Sequence, residues 1–201
     1  MIKRNLLVMG LAVLLSACGF QLRGTGTTEL AIKELDLSAR NAYGETVTQL
    51  RQVLQSSGVK VYAGAPYKLT LTDEQESQRT LSYAGSGRSA EYELTNVLSY
   101  EIQGHDNLSL LSDKLQVQKV FLHDGNNLTG SDQEADEIRK EMRRDLVQRM
   151  MLRLQQLSPT QLDQLQQTAD AKAKAEADAL KAAQEVEAQT PRQSPLQLQN
   201  Q

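Results

Sequence analysis

The 201-residue chain predicts an α+β fold, a two-layer sandwich in the order β-α-β-β-β-α followed by a disordered C-terminal tail. Three observations carry this. Apolar residues alternate with polar ones in the extended segments, the period of half-buried strands. Two further segments place apolar residues three and four apart, the period of helices lying on a sheet. The composition then changes sharply at Ser158-Pro159 and stays poor in apolar residues to the end.

The N-terminus has the layout of a secretory signal. Lys3 and Arg4 precede an apolar run, Leu6 to Leu15, too short to span a hydrocarbon core that requires ~20 residues. Leu15-Ser16-Ala17-Cys18 then fits the lipobox of bacterial lipoproteins, an aliphatic residue and two small residues before a cysteine. The expectation is cleavage of residues 1–17, with Cys18 acquiring an S-diacylglycerol and an N-acyl chain. Several acyl chains hold stably where one is marginal, since each buried methylene contributes ~0.8 kcal/mol. Gly19 stands where an Asp would favour retention at the inner membrane, so the expected location is the outer membrane. The folded part would lie on the periplasmic side. Cys18 is the only cysteine in the chain, which excludes an internal disulfide.

Residues 18–28 are expected as a lipidated linker and residues 29–158 as the sandwich domain. Leu30 to Leu37 reads as the first strand, with a register break near Lys33-Glu34. From Tyr43 to Ser57 the residues Val47, Leu50, Val53 and Leu54 share one helical face, and Gly58 suits the left-handed position after a helix. Tyr67, Leu69 and Leu71 alternate with Lys68, Thr70 and Thr72 as a second strand. A polar stretch, residues 73–90, precedes the alternation of Tyr92, Leu94, Leu98, Tyr100 and Ile102. Leu115 to Leu122 makes a fourth strand, paired with the third as a hairpin through a connection including Gly104-His105-Asp106-Asn107. After the turn HDGNN, a helix from about Asp132 to Leu157 carries Ile138, Met142, Leu146, Met150, Leu154 and Leu157. About four mostly antiparallel strands with two helices on one face follow from this order. The other face of the sheet, rich in Thr, Gln, Glu and Lys, would meet water or a partner. Residues 159–201, rich in Gln and Ala, read as a flexible tail with at most a transient helix and no packed core.

Few chemistries fit. Without Lys3 and Arg4 the chain has 20 basic and 25 acidic side chains, a net charge of -5. That balance and the lack of a basic stripe exclude a general nucleic-acid binder. Both histidines, His105 and His123, fall in apparent turns beside Asp, where solvated roles are the rule. No nucleophile elbow, metal-spaced cluster or phosphate loop is present, and the GSG of residues 85–87 reads as a flexible turn. Glu134, Asp136, Glu137 and Glu141 suit the start of the last helix. The expectation is a non-enzymatic protein with no cofactor and no metal.

The lipobox followed by CGFQLRG, SAEYEL opening the third strand and IRKEMRRDLVQRM in the last helix resemble the LptE family of lipopolysaccharide-assembly lipoproteins. The resemblance runs from about Cys18 to Leu157 and leaves the tail out. It implies the same sandwich fold, a role as the plug of the outer-membrane β-barrel LptD, help in assembling that barrel, and assistance to lipopolysaccharide delivery. In that family, basic residues before the third strand and before the last helix meet the glycolipid. Carried over, the first region offers Arg79 and Arg88 as lipopolysaccharide-binding candidates; the second, HDGNNLTGSDQEADE, holds no Lys or Arg. Arginine suits the phosphates of such a ligand, and a solvated hairpin residue is the equal alternative for both. A tethering lipoprotein or an adaptor for other periplasmic components is the other functional class, separated from a barrel plug by copurification with a β-barrel.

Overall fold

A computed structural model describes residues 30–83 and 89–189. The elements are β1 (Glu34–Ala39), α1 (Glu45–Ser56), β2 (Lys60–Val61), β3 (Tyr67–Tyr83), β4 (Ser89–Gln103), a short 3-10 turn (His105–Asn107), β5 (Ser109–Asp124), α2 (Leu128–Gln155) and α3 (Pro159–Gln189). They build one mixed sheet in the order β2-β1-β3-β4-β5. β1 runs parallel to β2 and β3, while β3, β4 and β5 are antiparallel neighbours.

The α+β class is as expected, with five strands in place of four and three helices in place of two. The added strand, β2, is two residues long, too short for an alternation to register. β1 begins at Glu34, at the anticipated register break. Leu30 and Ile32 are buried ahead of it, and Leu35 and Leu37 within it. Gly58 adopts a φ of 83° just after α1, the left-handed conformation that glycine enters without a Cβ clash.

The core lies between the sheet and the helices α1 and α2. Leu50, Leu54, Leu69, Leu94, Leu98, Ile102, Met142, Leu146, Met150 and Leu154 are each almost wholly inaccessible. The predicted stripe of α2 is therefore its sheet-facing surface. The helix starts four residues earlier than expected because Asn127 caps it, its Oδ1 accepting from the Gly130 N–H at 3.2 Å. That start leaves no acidic residue in the first turn. Glu137 instead pairs with Lys140, Asp136 with Arg139, and Glu141 with Lys119.

β3 departs most from expectation. It continues through the polar residues 73–83 as far as Tyr83 instead of stopping at Thr72, because β4 offers a backbone partner along this whole length, with bulges near Thr72 and Leu81. β4 and β5 pair in turn from Ser89↔Asp124 to Gln103↔Ser109, the expected hairpin at larger size.

The segment expected as a disordered tail is helical from Pro159 to Gln189. Its start is a capping box: Ser158 Oγ accepts from the Gln161 N–H, and Gln161 Oε1 accepts from the Ser158 N–H. Pro159 occupies the first helical position, where its missing N–H has no intrahelical use. Leu162 packs into the core cluster, at 3% exposure. Farther along, the helix is exposed, including Leu180 and Val186.

Candidate functional site

Beyond the end of β1, the strands β3, β4 and β5 continue as a three-stranded arm. Burial alternates along β4: Leu94, Asn96, Leu98 and Tyr100 are buried toward the helices, while Glu93, Thr95, Val97 and Ser99 between them are half-exposed on the other face. No helix covers that second face among the described residues.

At the far end of the arm the helix side holds a ring cluster. Tyr92 stacks on Phe121 at 5.7 Å between ring centroids and meets His123 edge-on at 5.5 Å. His123 thus lies near the end of β5, not in the turn expected from its neighbours, because pairing with β4 extends the strand past it. His105 does lie in the 3-10 turn. The HDGNN turn is closed by Asp124, whose Oδ1 accepts from the Asn126 N–H at 2.9 Å, and by Ser131 Oγ, which accepts from the Asp124 N–H.

On the open face, Arg79 of β3 stands opposite Glu93 of β4. Its Nε donates to Glu93 Oε1 at 2.7 Å and its Nη2 to Oε2 at 3.4 Å. This two-pronged contact raises the guanidinium pKa above its ordinary value, first through the hydrogen bond and then through the carboxylate charge. Arg79 therefore keeps 70% of its side chain in solvent but has an anionic partner. Two residues along β4 on the same face, Glu91 Oε2 accepts from Ser82 Oγ at 2.8 Å. Of the other candidate residues, Arg88 and Cys18 lie outside the described residues, as does the GSG turn.

The sequence reading missed the apolar character of this end. Leu81, Tyr83, Val120, Leu122 and Leu128 are all substantially exposed, and all sit at the ends of β3 and β5 or the start of α2. Val120 is paired with Glu93 and Leu122 with Glu91, which places both on the open face beside Arg79. The signal in the sequence was the pattern VFL at 120–122, apolar on both faces of a strand in place of strict alternation. Exposed apolar residues gathered at one end mark an interaction site far better than scattered ones do. Among the described residues no group of His, Cys, Asp or Glu is arranged to hold a metal, and no helix is long and apolar enough to cross a membrane.

The fold recurs in solved bacterial lipoproteins. Rare lipoprotein B from Shewanella oneidensis superposes with a TM-score of 0.55 at 24% identity, over 60% of this chain and 92% of its own. A minor lipoprotein from Acinetobacter baumannii gives a TM-score of 0.54 at 18% identity, over 63% of this chain and 92% of its own. These proteins thus share the two-layer α+β architecture of this chain. In sequence, residues 32–154 match the family described as LptE, Lipopolysaccharide-assembly. LPS-assembly lipoprotein LptE of Pectobacterium atrosepticum is 30% identical over 162 residues, 77% of this chain and 86% of the relative. The Yersinia pestis protein of that name is 30% identical over 171 residues, 82% of this chain and 81% of the relative. The chain belongs to the LptE family of lipopolysaccharide-assembly lipoproteins, a non-enzymatic family.

Proposed function

We propose that the protein is anchored to the outer membrane through acylated Cys18, binds within the lumen of the β-barrel LptD, helps that barrel assemble, and assists delivery of lipopolysaccharide to the outer leaflet. In this reading the far end of the β3–β4–β5 arm meets the glycolipid. The observation that carries it is the coincidence, in a chain of this family, of Arg79 with exposed Leu81, Tyr83, Val120 and Leu122 at one end of the sheet. A glycolipid presents phosphates next to acyl chains, so a cation bordered by apolar side chains matches its chemistry. Arg88, in the segment joining β3 to β4, would add a second cation there. Arg79 reaches a phosphate only by sharing or exchanging its bond to Glu93.

Copurification tests the barrel reading. Tagged, acylated protein extracted in strong detergent should retain a β-barrel identified as LptD in a fixed ratio. Recovery without the barrel would leave the tethering or adaptor function, which the exposed polar surface of α3 suits.

A further inference from the structure

The pair that Arg79 forms with Glu93 is unequal. The two residues stand opposite each other on the open face, Arg79 on β3 and Glu93 on β4, the middle strand of the arm. The arginine side chain is 70% exposed and the glutamate side chain only 14%. A ligand arriving at this face therefore meets the guanidinium, with the carboxylate recessed beside it. On its other side Glu93 is paired with Val120 of β5. Glu91, the second carboxylate of this end, accepts from Ser82 instead.

This contact divides the donors of Arg79. Glu93 takes the Nε–H and one N–H of Nη2. The N–H groups of Nη1 and the other one of Nη2 have no partner among the described residues. A guanidinium presents two such forks, and a carboxylate or a phosphate fits either of them. Here the Nε–Nη2 fork is occupied and the Nη1–Nη2 fork is open. A phosphate in the open fork faces Glu93 across a single guanidinium, inside the ~8 Å screening length of physiological salt. Two anions then share one cation. A phosphate that takes the occupied fork has to displace Glu93 outright. In both cases the glutamate charge opposes the ligand. Exposed ion pairs are weak, so this opposition lowers affinity without abolishing it.

We propose that Glu93 is a built-in competing anion that limits the affinity of Arg79 for a glycolipid phosphate and keeps that contact reversible. This rests on the glycolipid reading above and assigns it a regulating residue. A subunit that passes its ligand on has a use for such a contact, because affinity differences at one site lie mostly in the rate of release. The competition also selects the ligand. A phosphomonoester carries a charge of about -1.5 to -2 at neutral pH and three acceptor oxygens. It exchanges with Glu93 on better terms than a fatty-acid carboxylate, which only matches the group already there.

Titration of the full-length protein with lipopolysaccharide in detergent, at two ionic strengths, tests this, with circular dichroism confirming each fold. Glu93→Gln removes the charge and keeps an oxygen that accepts from the Arg79 Nε–H. It should tighten binding about threefold, the scale of an exposed charge pair, and added salt should weaken that binding more steeply than in wild type. Glu93→Thr, neutral and suited to a strand, repeats the test without the amide. Dephosphorylated lipopolysaccharide should show no such gain. Glu91→Gln removes the same charge but leaves the Arg79 pair whole, and should gain less. Arg79→Ala should bind more weakly than wild type, and adding Glu93→Gln to it should tighten binding no further. Tightening by Glu93→Gln in the Arg79→Ala background would be a general loss of negative charge and overturns the proposal. Equal or weaker binding by both Glu93 variants overturns it as well, while the glycolipid reading stands. Equal affinity of Arg79→Ala and wild type overturns the two together.

Discussion

Gln166 Oε1 accepts a hydrogen bond from the backbone N–H of His105 at 3.0 Å, tying the second turn of α3 to the turn between β4 and β5. The contact is close: a Cβ on the neighbouring Gly104 would come within 2.1 Å of that same oxygen. With Leu162 buried just before it, the first turns of α3 are part of the folded domain. Deleting residues 162–201 should therefore cost about 2 kcal/mol, the scale of burying one leucine side chain. Deleting only residues 170–201 should change stability by less than about 0.5 kcal/mol, as surface changes do. Urea unfolding of the two truncations distinguishes these outcomes, and equal stabilities would remove α3 from the core.

Leu146 occupies the centre of the α2 stripe and is wholly inaccessible. Leu146→Ala should destabilise by ~2–5 kcal/mol, the transfer loss plus the cavity left behind. Leu152, on the same helix but 53% exposed, provides the control, with an expected change below about 1 kcal/mol for Leu152→Ala. Chemical denaturation of both variants measures the difference.

Tyr100 gives an alkaline prediction. Burial raises its phenol pKa above the ordinary value, and the hydrogen bond from Arg153 Nε opposes that only in part. A group whose folded pKa is raised contributes stability that is fully present below its unfolded value of ~10. That stability is lost as pH rises through the folded value. Tyr100→Phe removes this ionisation while Asp113 still holds Arg153 at 3.1 Å. The variant should lose less stability than wild type between pH 9 and pH 11 (about one unit either side of the unfolded value), and thermal melts across that range read the difference.

Lipopolysaccharide titration of the full-length protein in detergent tests the two arginines. Arg88→Glu should weaken binding by replacing a bidentate donor with an anion. Arg79→Glu should do so as well and should also set two carboxylates against each other, since Glu93 stands opposite. The double variant should lose more than either single one, and added salt should weaken wild-type binding through screening. Arg79→Ala should leave stability within about 1 kcal/mol, because its pair with Glu93 is solvent-exposed. Unchanged affinity in the double variant would place the glycolipid elsewhere.

Cys18→Ala removes the thiol on which acylation and cleavage depend. Cells labelled with a palmitate analogue should incorporate it into wild type and not into the variant, which should persist as an uncleaved precursor. Label in the variant would refute the lipobox reading.

Local periodicity by itself determined α1, α2 and the buried stretches of β1, β3, β4 and β5, because each apolar spacing there reports a face that the core must cover. The lipobox and the family motifs are equally local, and they carried the class of protein. The tertiary structure alone decided the rest. Residues 73–80 form a strand despite their polarity because β4 pairs with them and because Thr46, Asn96 and Arg139, distant in sequence, satisfy the two carboxylates turned toward the helices. The start of α3 joined the domain through one leucine and one glutamine that gain meaning only against the β4–β5 turn. Arg79 reads as a free cation in the chain and is a paired one in the fold, since Glu93 comes opposite it only when a hairpin sets the register. Each of these rests on a hydrogen bond or a burial between residues far apart in the chain, and such partners leave no periodic trace for a local reading to find.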